Sequence, residues 1–438
     1  CDHHYAHAAS AFLPSPFKEA AILTVDGTGE WSTLAYGIGK GTQIKLEGDI
    51  KFPHSLGLLY SAVTAHLGFR VNWAEGSVMA LAAYGKPVFH REFNKLIDVK
   101  EDGSFQLNLK YFSFHYDLVM TNRNFARLIC PIRKPAEKIT QVHRDLAATL
   151  QETTESTVIK IANNIHNIYK IENLCLAGGV ALNCQTNGKI LERTPFKKIF
   201  IQPAAGDDGG ALGAALYAYT QLYKGKNRFE MKTAYLGPEY DDKKIKEMLK
   251  SRNINFQELG EEELIKKTAN YIFNNKLIGW FYGRMEFGPR ALGNRSILGN
   301  PLNSGTKERL NEKVKKREPF RPFAPSVCWE YKNDYFNIKQ KSPFMTIAAP
   351  ATCSAKEKIP AVIHRDGTAR VQTVSVKENP RYYKLLKEFE KLSGVPVLLN
   401  TSFNLKGEPI VCSPEDALSS FYGSEMDVLV MGNFLIEK

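Results

Sequence analysis

The sequence predicts an α/β protein in which short buried strands lead into glycine-rich turns. Three apolar runs have this form, at residues 20–29, 174–183 and 199–210, and helical patterns follow the last two turns. Strands, glycine turns and helices in this order are typical of nucleotide-binding α/β folds, in which phosphate groups lie over helix N-termini. One such turn is weak evidence, but three in one domain favour a phosphate-binding function.

The length of 438 residues favours two domains. We expect the division in the charged stretch 224–238, giving domains of residues 1–233 and 234–438. Residues 34–50 predict a hairpin, and 142–169 form an amphipathic pattern long enough for one helix or two. Further patterns predict helices at 55–68, from 184, at 211–223 and at 381–392, and strands at 277–281 and 395–399. Residues 88–135 are less regular and predict an insertion. The second domain is expected to be of the α+β class.

Composition excludes several classes of protein. Hydrophobic residues make up 43% of the chain, and no apolar run approaches the roughly 20 residues that span a bilayer. The net charge of +12 would suit nucleic acid, but the basic residues are scattered along helical patterns, so we do not expect nucleic-acid binding. The seven cysteines include no CxxC pair, which indicates reduced thiols and a cytoplasmic location.

Two histidines and two aspartates predict a metal site in the first domain. His3 and His7 lie on one face if the segment is helical, and Asp26 and Asp207 each lie beside glycines. A chance pairing of histidines is the alternative for the isolated HxxxH pattern. Imidazole with carboxylate suits a divalent metal, with Fe²⁺ favoured, Mn²⁺ or Zn²⁺ as alternatives, and Mg²⁺ disfavoured at this site.

The turn after the second apolar run is a candidate nucleotide-binding turn. Gly178, Gly179 and Asn183 could surround a phosphate or a ribose, although a tight turn before a helix explains the same residues without a ligand.

Cationic and amide side chains in the second domain predict an anion site. Guanidinium groups bind phosphate and carbonyl oxygens bidentately, and proline, glycine and phenylalanine around two of these arginines would orient them. The alternative is a set of solvated arginines and a polar residue that caps a turn. The candidates are Arg290, Lys315, Arg321, Arg370, Asn400 and Ser402.

At these residues the sequence resembles the O-carbamoyltransferase family that includes nodulation-factor, cephamycin and tobramycin carbamoyltransferases. The matching segments occur in family order along nearly the whole chain, at 3–10, 25–27, 177–183, 206–207, 283–295, 317–325, 369–374 and 400–404. The resemblance implies an actin-like ATPase-fold domain, akin to that of the universal tRNA threonylcarbamoyl-transfer proteins, followed by a YrdC-like domain.

The resemblance also implies a two-step activity that uses ATP with Mg²⁺. Carbamoyl phosphate and ATP would give carbamoyladenylate in the second domain, where Arg290, Lys315, Arg321, Arg370, Asn400 and Ser402 would hold the phosphate and carbamoyl groups. A metal held by His3, His7, Asp26 and Asp207 would then orient the adenylate, and Gly178, Gly179 and Asn183 would contact the nucleotide. A hydroxyl of a sugar-like or secondary-metabolite acceptor, such as an antibiotic precursor, would take the carbamoyl group. His3, His7, Asp26, Lys315 and Arg321 are the implied catalytic residues.

Two departures from the family pattern matter. Relatives usually begin a hundred or more residues earlier, so we expect either a fragment or a second chain that completes the first domain. In addition, Ser77 stands where relatives commonly have lysine, which makes a ligand contact at that position doubtful.

Three other functions fit parts of the sequence. A tRNA threonylcarbamoyl-transfer enzyme shares the HxxxH pattern, but the second domain argues against it. A non-catalytic nucleotide-binding subunit is a second alternative, and a sugar kinase of the same superfamily is a more distant third.

Overall fold

The chain forms two compact units in the computed structural model, which describes all residues 1–438. They comprise Cys1–Met231 and Lys232–Lys438, and the sequence places the division two residues later. Both units mix helices and sheet, so the predicted α/β class is confirmed. None of the helices combines the length and the hydrophobicity needed to cross a membrane.

The first unit contains a five-stranded sheet in the order β3-β2-β1-β6-β7, and a separate hairpin of β4 and β5. Its strands are β1 Glu19–Gly29, β2 Ser32–Lys40, β3 Gln43–Lys51, β4 Ile97–Val99, β5 Phe105–Leu107, β6 Asn173–Ala177 and β7 Lys198–Ile201. Its helices are α1 His3–Phe12, α2 Leu56–His66, α3 Glu75–Ala82, α4 His90–Leu96, α5 Arg123–Leu128, α6 Gln141–Tyr169, α7 Cys184–Arg193 and α8 Gly210–Tyr217. The expected hairpin is β2 with β3, and the long amphipathic pattern forms one helix, α6.

Three parallel strands determine where the glycine turns lie. Strands β1, β6 and β7 run parallel, so their carboxyl ends point to the same edge of the sheet. The turn after β6 is packed tightly: Gly178 has φ +90° and donates its N–H to the Ala205 carbonyl at 2.7 Å. A Cβ at Gly178 would lie 2.2 Å from the Val25 carbonyl oxygen, so only glycine fits. The three turns are thereby joined at one edge.

Helix α1 packs against β1, β6 and α8. In α8 a small residue, Gly213, allows the closest approach, because a Cβ there would lie 1.8 Å from the Ala6 carbonyl oxygen. The predicted helix at 211–223 ends early, since α8 stops at Tyr217 and a wider π turn covers Ala218–Leu222. The contact at Gly213 places α1, with its two histidines, at the sheet edge.

The second unit is built on an eight-stranded mixed sheet in the order β14-β11-β15-β10-β9-β16-β17-β8. Its strands are β8 Gln257–Glu258, β9 Ile278–Phe281, β10 Arg295–Gly299, β11 Ala324–Cys328, β12 Ala348–Pro350, β13 Thr368–Arg370, β14 Gln372–Val374, β15 Val397–Ser402, β16 Val428–Met431 and β17 Phe434–Glu437. Its helices are α9 Asp242–Ser251, α10 Glu261–Phe273, α11 Gly305–Arg309, α12 Lys332–Tyr335, α13 Cys353–Lys358, α14 Pro380–Ser393 and α15 Pro414–Tyr422.

Helices α10 and α14 pack against each other and join the core on the sheet. Trp280, Tyr382 and Phe389 are fully buried in that core. Helix α14 begins with Pro380 after an Asn379 cap and ends at Gly394 in the left-handed conformation, which is the usual arrangement of helix ends. Proline at the start and glycine just past the end mark the limits of α14 in the sequence. The predicted helix at 381–392 agrees with these limits to within one residue.

We predict that Gly213→Ala separates α1 from α8. The added methyl would meet the Ala6 carbonyl, and relieving this overlap should lower the free energy of unfolding by about 1–3 kcal/mol. Urea denaturation measures the change. Gly210→Ala is the matched control, because nothing lies within 4 Å of the Cβ position on the same helix. Equal stability of the two variants would contradict the proposed close packing.

Candidate active site: a metal-ligand cluster and a cation cluster

Four side chains of the first unit converge at the carboxyl ends of the parallel strands. Nε2 of His7 lies 2.8 Å from Oδ2 of Asp26, and Nε2 of His3 lies 3.2 Å from the same oxygen. Oδ1 of Asp207 lies 3.5 Å from both imidazole nitrogens. These four donor atoms all lie within 4.8 Å of one another. The four residues named from the sequence therefore form one cluster.

The spacing of these donors suits a small divalent ion. Ligands at about 2.0–2.2 Å from a metal are about 2.8–3.1 Å apart at right angles and about 3.3–3.6 Å apart in a tetrahedron. The four imidazole-to-carboxylate distances, 2.8–3.5 Å, fall in this range. Two imidazoles and two carboxylates are the donor set of Fe²⁺, Mn²⁺ or Zn²⁺. Asp207 is 79% exposed, so the ligand-facing side of the cluster is open to solvent.

Asp26 is held in position by the backbone. Its Oδ1 accepts hydrogen bonds from Gly27 N–H at 2.7 Å and Gly179 N–H at 3.2 Å, which leaves Oδ2 facing the imidazoles. Burial raises the pKa of Asp26, but hydrogen bonds with His3 and His7 outweigh it and hold that pKa well below its usual range. The hydrogen bond with Asp26 also raises the pKa of His3. Asp26 is therefore a fixed carboxylate, as a metal ligand must be.

His4, between the two candidate ligands, has a different role. Its Nδ1 lies 2.7 Å from the Thr24 hydroxyl and its Nε2 lies 2.9 Å from the Ser32 carbonyl oxygen. Burial lowers the pKa of His4 to about 4, so the ring is neutral near pH 7. His4 joins α1 to strands β1 and β2 and thereby orients the neighbouring histidines.

The candidate nucleotide turn is partly used by the protein itself. Asn183 caps α7, since its side-chain oxygen accepts the Thr186 N–H at 3.1 Å. The same amide group exchanges hydrogen bonds with Gln151 at 2.9 and 3.1 Å. Gly179 contacts Asp26 through its N–H. The structure therefore brings Gly178 and Gly179 to the metal-ligand cluster, while the Asn183 side chain stabilises the turn.

Lys315 of the second unit is enclosed by oxygen atoms. Its Nζ lies 2.5 Å from the carbonyl oxygen of Ser402 and 3.2 Å from its hydroxyl. It also lies 3.0 Å from the carbonyl oxygen of Asn404 and 2.8 Å from its side-chain oxygen. Burial and the charges of Arg317 and Arg321 lower the pKa of Lys315 well below its usual value. Lys315 thus fixes the turn that carries Ser402, and its own hydrogen bonds are directed at that turn.

Arg317 and Arg321 lie near Lys315, and Arg370 lies near these two arginines. Burial, with the charges of Arg321 and Arg370, lowers the pKa of Arg317 to about 9. Burial also lowers the pKa of Arg321, where Glu318 opposes the effect and Arg370 adds to it. Buried cations with so little opposing charge attract a multiply charged anion. Arg317 begins the matching segment 317–325, but the sequence analysis did not name it as a site residue. Its position two residues after the candidate Lys315 is the sequence feature that could have indicated it.

The two other candidates of the second unit are Asn400 and Arg290. Asn400 is buried in a network in which its Nδ2 donates to the Ser326 hydroxyl and the Gln372 side-chain oxygen at 3.1 Å each. Arg290 lies half-buried in the loop between β9 and β10. The same loop contains Glu286, a buried carboxylate that accepts three backbone N–H groups at 2.7–3.3 Å. Hence Asn400 and Glu286 support the loops around the cations.

The fold and these two clusters agree with the family to which the sequence is similar. The family model "Carbamoyltransferase N-terminus" matches residues 1–216, and "Carbamoyltransferase C-terminus" matches residues 269–438. The chain belongs to the carbamoyltransferase family and is a transferase enzyme.

Three relatives align with the whole chain. An uncharacterised protein of Synechocystis sp. is 46% identical and 76% of its length is covered. Nodulation protein NolNO of Sinorhizobium fredii is 40% identical with 63% covered, and nodulation protein NolO of Bradyrhizobium diazoefficiens is 38% identical with 79% covered. The chain therefore spans between about two thirds and four fifths of the length of these relatives.

We predict that His7→Ala and Asp26→Asn each weaken divalent-metal binding by at least about tenfold, because each removes one of the four converging donors. Metal content after dialysis, measured by mass spectrometry for iron, manganese and zinc, gives the result. Asp208→Asn is the matched control, since this exposed neighbour of Asp207 lies outside the cluster. Retention of metal by both ligand variants would disprove the site.

Proposed function

We propose that the protein is an ATP-dependent O-carbamoyltransferase that makes carbamoyladenylate in the second unit and transfers its carbamoyl group in the first. The observation that carries the proposal is the cluster of Lys315, Arg317, Arg321 and Arg370, in which Glu318 is the one carboxylate that opposes the shared charge of Arg317 and Arg321. Buried cations favour substrates that carry several negative charges. Carbamoyl phosphate and ATP are both substrates of this kind.

In the first step the arginines bind the anionic substrates. Carbamoyl phosphate loses its phosphate to water, and the carbamate oxygen then attacks the α-phosphorus of ATP and releases pyrophosphate. Arg317, Arg321 and Arg370 neutralise charge on the phosphoryl oxygens, while Lys315 donates to the Ser402 hydroxyl, which in turn donates to the Asn404 side-chain oxygen and so keeps this turn in place. Guanidinium groups that are already buried need little further desolvation when the anion binds. Magnesium accompanies ATP as its usual counter-ion.

In the second step the first unit positions the adenylate for attack by the acceptor. The acceptor hydroxyl oxygen forms a bond to the carbamoyl carbon, and the bond from that carbon to the phosphate oxygen breaks and releases AMP. Gly178 and Gly179 form the turn beside Asp26 over which the nucleotide would lie, and His3, His7, Asp26 and Asp207 would hold a divalent metal. When bound, that metal supplies positive charge for the oxygens on which negative charge develops.

The topology supports the finer fold assignment. In the first unit, the order β3-β2-β1-β6-β7, with two antiparallel and two parallel pairs of neighbouring strands, agrees with an actin-like ATPase domain. The mixed eight-stranded sheet of the second unit agrees with a YrdC-like domain. The acceptor is a hydroxyl-bearing small molecule of sugar-like or secondary-metabolite type. Iron is the metal that we favour in the first unit.

We predict that Arg321→Ala and His7→Ala block different steps. Arg321→Ala should lower carbamoyl-phosphate-dependent exchange between ATP and pyrophosphate by about 100-fold, because a donor to the developing charge is lost. His7→Ala should leave that exchange intact but abolish formation of carbamoyl hydroxamate from hydroxylamine. Radiolabel exchange and colorimetric hydroxamate assays measure the two steps.

An exposed arginine shortly before β13, the strand that carries Arg370, provides the control for the first step. Arg365→Ala removes a surface guanidinium five positions before Arg370 and should leave exchange unchanged. If the wild-type protein yields neither exchange nor hydroxamate with carbamoyl phosphate and ATP, the proposed function is wrong. Loss of both reactions in His7→Ala would instead contradict the division of the two steps between the units.

A further inference from the structure

An exposed tryptophan lies at the tip of the hairpin that joins β1 to β2. Trp31 is 72% exposed, although tryptophan usually buries most of its surface. Glu30 precedes it with φ +57°, an uncommon conformation for a residue other than glycine. A large aromatic ring that remains in solvent at a defined turn is available to contact a ligand.

The hairpin tip is attached directly to the helix that carries the metal ligands. Gly29 packs against the ring of His3, and a Cβ at Gly29 would lie 2.0 Å from that ring. On the other strand, the Ser32 carbonyl oxygen lies 2.9 Å from Nε2 of His4. The Trp31 carbonyl oxygen also accepts the Phe52 N–H at 2.8 Å. The backbone on both sides of the exposed indole is therefore fixed.

These attachments place the hairpin tip close to the metal-ligand cluster, since Gly29 packs against the ring of His3 and the charge of Glu30 acts on the same ring. Residue 31 follows Gly29 by two positions, a backbone span of at most about 7 Å. The indole therefore begins within about the length of one sugar ring from His3. Asp207, whose side chain is largely exposed, leaves the cluster open for a substrate. A molecule whose hydroxyl reacts at the cluster can extend its adjoining ring to the indole.

We propose that Trp31 determines acceptor specificity by stacking against the C–H face of a pyranose-like ring whose hydroxyl receives the carbamoyl group. The inference rests on the proposed carbamoyl transfer and adds the residue that selects the acceptor. An indole face carries negative electrostatic potential and attracts polarised C–H groups. The exposed carboxylate of Glu30, at the same tip, provides an acceptor for hydroxyl or ammonium groups of that ring.

The experiment compares a ring-bearing acceptor with one that has no ring. Methyl β-D-glucopyranoside, methyl α-D-mannopyranoside and their 2-amino counterparts are the ring-bearing probes, and hydroxylamine is the small acceptor. The measured quantity is the ratio of kcat/KM for each pyranoside to kcat/KM for hydroxylamine. Trp31→Ala should lower this ratio by about tenfold, mainly through KM, because one stacking contact is lost. Trp31→Phe should recover most of it.

Trp73 provides a matched control. It is 60% exposed and lies before α3, where its neighbour Arg70 stacks on it, so Trp73→Ala should leave the ratio unchanged. Binding of the ring is also measured by fluorescence, without the transfer reaction. The pyranosides should change tryptophan fluorescence in the wild type and in Trp73→Ala, but not in Trp31→Phe.

The outcomes separate this inference from the proposed function. A wild-type protein that carbamoylates hydroxylamine but neither binds nor modifies any pyranoside overturns the role of Trp31 and leaves the function standing. An unchanged ratio in Trp31→Ala, as expected if the indole docks a protein, overturns it as well. Absence of hydroxamate in the wild type overturns the function itself, and fluorescence then reports ring binding alone.

Discussion

The hydrogen-bonded position of Asp26 is the constraint on which the first unit depends. One carboxylate oxygen is held by two glycine N–H groups from different strand ends, and the other faces two imidazoles from α1. If either glycine turn moved, the carboxylate would rotate and the cluster would lose its common centre. The close packing of Gly178 on β1 and of Gly213 on α1 has the same consequence, because it brings a helix and two turns to one sheet edge.

The site residues of the second unit are positively charged, whereas those of the first include two carboxylates. Its cluster consists of buried cations, and burial together with their mutual repulsion lowers the pKa values of Lys315, Arg317 and Arg321. Lys315 donates to oxygen atoms of Ser402 and Asn404, which makes it a support for that turn, and Arg317 donates to the Asn311 side-chain oxygen and the Pro322 carbonyl. The arginines retain capacity for a ligand, since anion binding would relieve their mutual repulsion. A cluster of candidate metal ligands in one unit and a cluster of cations in the other are suited to the two successive steps that we propose.

The sequence predicted residue types and strand ends better than it predicted contacts. His3, His7, Asp26 and Asp207 could be named together, because a helical i, i+4 pair and acids at glycine turns have local signatures. The four oxygens around Lys315 could not be foreseen, since they come from residues 87 and 89 positions away. Asn400 was expected at a ligand, but its amide is used in a buried network whose partners come from other strands. Where α8 gives way to a π turn depends on packing, which no propensity encodes.

Metal coordination tests the central claim most directly. Crystals of the protein grown with Mn²⁺ or Fe²⁺ should show an anomalous difference peak at about 2.0–2.3 Å from Nε2 of His3, Nε2 of His7 and a carboxylate oxygen of Asp26 or Asp207. A peak at these atoms would establish that the strand edge holds a metal. A structure with saturating metal in which the peak lies elsewhere, while the two imidazoles still face Asp26 alone, would contradict the account.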